Sequence, residues 1–334
     1  MGEGCARSPG IDGVSDLRSI YVLAACLFLV SGVEAQPYPA KPVRLIVPFA
    51  AGGSTDLLAR TLATRLQDAL GQSFIVDNRP GAGSNIGTEL AAKAAPDGYT
   101  LLMGTNANAV NNSLYTNLRF DFMRDFAPIS KVCSFLFILS LHPSVPAHSV
   151  AELIDLAKKR PGELTFSSAG VGTGSHLAGE LFNIMAGVKL VHVPYKGNAP
   201  SVTDLLGGQV SMSFINAIVV LPHLKSGKLR GIAVTSAQRF SAMPELPTIA
   251  ESGLAGFEAV GWNGLFAPAG TPREIIQRLN AETVRILKTP EIQEKLVAQG
   301  AIVEGTSPEE LERFLRVDVE RWARTVKASG AKAE

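Results

Sequence analysis

Three loops in this sequence join glycines and small hydroxyl residues to the start of a helical pattern: Phe49–Asp56, Arg79–Thr88 and Ser167–His176. Each follows a strand-like run, which is where open α/β sheets bind ligands. A helix start presents unpaired N–H groups and a partial positive charge, and glycines let an anion approach that backbone closely. Two such loops facing one cleft would hold a carboxylate without help from Arg or Lys. Ser54, Ser84, Thr173 and Ser175 can add hydroxyl donors. Taken alone, each loop reads equally well as a tight turn before a capped helix. Asp56 either caps its own helix or recognises an amino or hydroxyl group of a ligand. His176 either donates to a ligand or simply occupies a first helical turn.

Other chemistries fit less well. Gly81-Ala82-Gly83-Ser84-Asn85-Ile86-Gly87 spaces its glycines one residue too widely for a dinucleotide fingerprint. Gly170-Val171-Gly172-Thr173-Gly174 lacks the third spaced glycine, and no Gly-Lys-Ser/Thr phosphate loop follows a strand. A nucleotide cofactor is not expected, and neither is any other. The sequence has no Gly-x-Ser-x-Gly elbow and no His-Glu-x-x-His, and its histidines (142, 148, 176, 192, 223) form no helical ligand pair. No catalytic residue and no metal site is expected, so the reading is a binding protein rather than an enzyme.

The elements that must position these loops alternate from Pro42 onward. Val43–Val47 reads as a strand and Asp56–Leu70 as a helix, with Leu58, Leu62, Leu66 and Leu70 on one face, Leu57 broadening it and Gly71 ending it. Phe74–Asp77 and Tyr99–Met103 are the next strands, with a short helix between them. After an irregular stretch, 106–130, the alternation resumes: strand Phe135–Leu141, helix Val150–Lys159, strand Leu164–Ser167, a helix from Ser175 and strand Leu190–Val193. Then come helix Ala199–Leu206, strand Val210–Phe214, helix Val219–Lys225 and strand Leu229–Thr235. From Thr271 the chain is mostly helical, ending in an amphipathic segment, 308–327. Such alternation implies a parallel sheet with crossovers, here in two lobes: 36–139 with 261–334, and 140–260.

With 334 residues, the chain is long enough for two lobes. Ser19–Val33 is an apolar run too short for a membrane span, and Val33-Glu34-Ala35 is a small-x-small site. Residues 1–35 therefore read as a secretory signal peptide, with Gln36 the mature N-terminus; Leu23-Ala24-Ala25-Cys26 offers a lipoprotein alternative. The remainder carries 29 basic and 26 acidic residues, a net +3, too little for a nucleic-acid binder. Its one cysteine, Cys133, lies in an apolar context and reads as a buried thiol.

The loops also carry a family pattern. Pro42–Asp56 (PVRLIVPFAAGGSTD) and Val76–Gly87 (VDNRPGAGSNIG) resemble the Bug family, the periplasmic solute receptors of tripartite tricarboxylate transporters. So do Ala95–Leu102 (APDGYTLL), Val193–Gly197 (VPYKG), Asp204–Val210 (DLLGGQV) and Trp262–Pro268 (WNGLFAP). The resemblance implies an α/β, type II periplasmic-binding-protein fold, with two lobes around a ligand cleft. By motif, it implies first-lobe contacts from Ala50, Gly53, Ser54, Asp56, Asn85 and Thr105. Second-lobe contacts would come from Ala169, Gly170, Thr173, His176, Tyr195 and Asn216, with Tyr195, Trp262 and Phe49 as pocket walls. The expected function is a monomeric periplasmic receptor that captures a small carboxylate ligand and delivers it to membrane transporter subunits. A sensor for a signalling partner, or an enzyme acting on an organic acid, are the alternatives.

Overall fold

The computed structural model describes residues 1–6, 38–298 and 300–329. The chain divides into two units, Met1–Tyr38 and Pro39–Glu334. Of the first, residues 1–6 are exposed coil, and the expected signal peptide lies outside the described residues.

Ten strands form the sheet of the second unit: β1 (Val43–Val47), β2 (Phe74–Asn78), β3 (Thr100–Thr105), β4 (Phe126–Leu141), β5 (Thr165–Ser168), β6 (Val191–Pro194), β7 (Met212–Asn216), β8 (Arg230–Val234), β9 (Val260–Pro268) and β10 (Ala301–Val303). They are ordered β2-β1-β3-β9-β4-β7-β5-β6, with β8 and β10 also on β4. β1 pairs in parallel with β2 and β3, and β5 with β6 and β7. These are the βαβ units that the alternation predicts. The helices are α1 (Ser54–Leu70), α2 (Asn85–Ala92), α3 (Asn106–Leu114), α4 (Phe122–Asp125), α5 (Val150–Lys159), α6 (Gly174–Ala186), α7 (Asn198–Leu206), α8 (Ala217–Lys225), α9 (Arg273–Leu287), α10 (Pro290–Ala298) and α11 (Pro308–Ser329).

The sixteen-residue strand β4 links two halves of the sheet. Phe126–Leu136 pairs antiparallel with β9, whereas Phe137–Leu141 pairs with β7. The chain returns alongside: Thr235 N–H donates to Phe137 O, and Ala259 N–H to Thr235 O. Only these adjacent stretches carry the backbone from one half to the other among the described residues. Each half has its own core, Ile46, Leu102, Phe122 and Phe266 in the first, Ile138, Leu205, Ile215 and Val234 in the second.

The sheet departs from the all-parallel one expected: β4 pairs antiparallel with β7, β8, β9 and β10, and β3 with β9, and neither β9 nor β10 was expected as a strand. Two local features also depart from the pattern. Helix α1 buries Leu58, Leu62 and Leu66 and ends at Gly71 in the left-handed region (φ 71°), but Leu57 is 40% exposed and does not broaden the buried face. The stretch 106–130, expected to be irregular, contains α3, α4 and the start of β4. Its helix, NANAVNNSL, escapes apolar periodicity because asparagines occupy its buried face. Thr105 caps it in a capping box with Asn108, whose Nδ2 in turn donates to Thr88 Oγ1.

Candidate functional site

The loop after β1 is held open from behind. The Asp56 carboxylate, 2% exposed, accepts from Gly52 N–H at 2.8 Å, Arg60 Nε at 3.0 Å and Asn78 Nδ2 at 2.9 Å. Asn78 Nδ2 also donates to Phe49 O. Burial opposes ionisation of Asp56, but the Arg60, Gly52 and Asn78 donors outweigh it and hold its pKa below the ordinary carboxylate range. Asp56 therefore shapes the loop and is absent from the cleft wall. With the carboxylate turned back onto Gly52, the start of α1 has no side-chain cap, and its first N–H groups remain available.

The loop after β2 is strained: Ala82 and Ser84 have φ of 46° and 85°. Non-glycine residues adopt such values at a cost and mostly at sites that use them. Asn111 pins this turn by donating to Gly83 O at 2.8 Å and Asn85 Oδ1 at 2.6 Å. Asn85 thus serves the turn and does not line the cleft.

In the second half, the loop after β5 is knit by hydroxyls. Ala169 N–H donates to Ser175 Oγ at 3.0 Å, and Thr173 Oγ1 to Gly170 O at 2.6 Å. Gly170 N–H is taken by Ser168 Oγ. His176 supports the loop from below, its Nδ1 accepting from Gly172 N–H at 3.2 Å. Its ring stacks on His192 at 4.1 Å, and His192 Nε2 meets Ser168 Oγ at 2.6 Å. Burial lowers the His176 pKa to about 4, and burial plus the neighbouring His176 lowers that of His192 to about 3. Helix α6 starts without a side-chain cap, and so does α7 behind Gly197.

These parts converge on a narrow cleft between the halves. Its walls include Gly53, Ser54, Thr55, Thr105 and Asn106 from the first half, and Ala169, Thr173, Gly174, Ser175 and Asn198 from the second. Phe49, Phe135 and Phe137 complete it. The starts of α1, α6 and α7 all lie in this wall, and among the described residues no charged side chain does. The cleft is shut: Asn198 Nδ2 donates to Ser54 Oγ at 2.9 Å and Ala50 N–H to Lys196 O at 2.9 Å, both across the halves. A shut cleft walled by donors and aromatic rings can desolvate an acceptor-rich ligand and bind it without a counter-ion.

Of the residues expected from the sequence, Gly53, Ser54, Thr105, Ala169 and Thr173 line the cleft, with Phe49 as a wall. Ala50 bridges its rim. Gly170 and His176 lie behind it in the loop they support. Tyr195 faces its own half, its hydroxyl donating to Asp204 at 2.6 Å; burial and Asp204 raise its pKa to about 12. Asn216 caps α8 and borders an adjoining pocket that shares Ser54 and Phe135 with the cleft. Trp262 packs under α11, bonded to Asp318, away from the cleft. Sequence reasoning missed Asn106, Asn198 and the wall rings Phe135 and Phe137. Asn198 sits one residue after a glycine at a helix start, the signal already applied to Ser54, and was readable on that ground. Asn106 lies in the stretch 106–130, whose lack of apolar periodicity hides its helix.

Among known proteins, the Tripartite tricarboxylate transporter family receptor pattern matches residues 58–331. Protein BugT of Bordetella pertussis is 40% identical over 318 residues, 95% of this chain and 98% of its own. An R. palustris protein solved with adipate superposes at a TM-score of 0.86 with 40% identity, covering 88% of this chain and 99% of its own. The periplasmic binding protein BugD superposes equally well at 37% identity, covering 89% and 100%. The two-halved α/β fold is therefore that of periplasmic binding proteins, and the chain belongs to the tripartite tricarboxylate transporter receptors, the family that includes the Bug proteins.

Proposed function

We propose that this protein is a periplasmic receptor that captures a small carboxylate between two lobes and hands it to the membrane subunits of a tripartite transporter. The observation that carries the reading is the convergence of three uncapped helix starts, at Ser54, Gly174 and Asn198, on a cleft without charged side chains. Helix starts favour anions, and a planar acceptor-only group such as a carboxylate matches a wall of N–H and hydroxyl donors. The R. palustris relative solved with adipate supports the ligand class.

The lobes exchange at Phe137 and between Thr235 and Val260, so closure is a rotation about two neighbouring backbone stretches. The contacts Ser54–Asn198 and Ala50–Lys196 belong to the closed state. The role is binding without turnover, which is supported by how the nearest titratable groups are used: Asp56 holds a loop and His176 is kept neutral beneath another. The apolar run Ser19–Val33, with Val33-Glu34-Ala35, supports export of a protein starting at Gln36.

The test is mass spectrometry of small molecules released on denaturing protein purified gently from the periplasm of its own host. A carboxylic acid in near-stoichiometric amount is expected. Release of a neutral or cationic molecule, or conversion of the released acid by fresh protein followed by NMR, would refute the reading.

A further inference from the structure

We infer that Asn106 is the residue through which a bound carboxylate closes the cleft, a role that rests on the receptor reading above. Thr105 and Asn108 fix the start of α3 between them, so Asn106 has no capping duty and its side chain is left for the cleft. It is 3% exposed, and its Nδ2 has no hydrogen-bond partner. That donor belongs to the first half but sits against the second: a Cβ added at Gly174, the first residue of α6, would lie 2.5 Å from the Phe137 ring and 3.1 Å from Asn106 Nδ2. The glycine leaves room for the amide to face the uncapped start of α6. An anion held there by the Gly174 and Ser175 N–H groups is within reach of a donor from the opposite half.

Two consequences follow from one atom. With ligand present, Asn106 Nδ2 adds a hydrogen bond that exists only when the halves meet, so it couples binding to closure. With the cleft empty and shut, the same donor is buried and unpaired, which penalises closure by about tenfold relative to a hydrated, open state. Asn106 thereby makes closure conditional on an acceptor. It also disfavours a carboxamide in place of the carboxylate, because an NH2 group would put donors where an oxygen would accept from Asn106 Nδ2 and the Gly174 and Ser175 N–H groups.

Two variants of the mature protein separate these effects. Asn106→Leu keeps the size and removes the donor; Asn106→Asp keeps the shape and replaces the donor with a negative charge. Small-angle scattering of the empty proteins should show the Asn106→Leu variant more compact than wild type. Calorimetry with succinate, adipate and citrate should show at least tenfold weaker binding of whichever acid wild type accepts, with Asn106→Asp weaker still. Unchanged scattering of empty Asn106→Leu, or unchanged affinity in both variants, overturns the inference. If wild type binds none of the three acids, the receptor reading loses support, while the scattering comparison still decides the role of Asn106. Asn106→Ser, whose donor is too short to reach, replaces the Leu variant if that fails to fold.

Discussion

At the residue scale, Asp56 and Asn106 exchange the roles that their positions suggest. An acid at a helix start reads as a cap or a ligand contact, yet Asp56 spends both oxygens on Gly52, Arg60 and Asn78. Removing it leaves those donors unmatched and frees the glycine loop. Asp56→Ala is therefore expected to lower stability by about 2 kcal/mol in urea denaturation and to weaken ligand binding as well; an unchanged midpoint would contradict the loop-holding role. Thr105 was legible from motif and does line the cleft, but its hydroxyl accepts from Ala107 N–H. The neighbouring amide is the free group, and only three-dimensional accounting of partners reveals that. Cys133 is simpler. Burial, with Glu304 nearby, raises its thiol to about 12, so it is expected to resist maleimide in the folded protein and react on unfolding. Labelling of native protein at Cys133, mapped by peptide mass spectrometry, would contradict this.

At the element scale, the strands and helices of the βαβ units were legible because apolar periodicity and punctuating glycines agree there. Strand β9 was not, although Trp262–Pro268 was recognised as a motif. It runs antiparallel between β3 and β4 and is preceded by the long turn-rich stretch 235–259 rather than by a crossover helix, so no strand–helix–strand rhythm announces it. The packing of α6 on β5 was also invisible. Gly179 lies in mid-helix, and a Cβ there would come within 2.1 Å of the Phe166 ring. Gly→Ala in a helix ordinarily stabilises by up to about 1 kcal/mol; here Gly179→Ala is expected to destabilise by about 1–3 kcal/mol, because the helix must lift off the strand. A raised melting temperature would contradict that contact.

The stacking of α6 on β6 sets a pH response. The stacked His176 and His192 stay neutral in the fold down to about pH 4 and 3, whereas in the unfolded chain each takes a proton near 6.5. Below 6.5 the unfolded state binds protons that the folded state refuses, so stability declines as pH falls from 6.5 toward 4 and is insensitive to these groups above 6.5. Thermal melts across that range should show the decline, and His176→Gln with His192→Gln should flatten it. An equal slope in the double variant would assign the effect elsewhere.

At the scale of the whole molecule, the two halves meet through backbone and small side chains around the cleft, and through an apolar cluster in which Val110, Leu114 and Trp322 of the first half pack on Leu177 of the second. Gly83 (φ 58°) shows how closely: a Cβ there would lie 2.5 Å from Val171 O of the other half. The sequence marks such glycines as loop punctuation and does not say that they face a partner 88 positions away. The two-lobed plan came from the alternation of elements and from family motifs together; the shut cleft and its lack of charged walls came from the coordinates. What the halves enclose is the central claim, that converging helix starts bind a carboxylate as such. The most direct measurement is calorimetry of the mature protein against succinate, adipate and citrate, each paired with its full carboxamide. The account predicts that at least one acid binds and that its amide does not. Equal binding of acid and amide would contradict it.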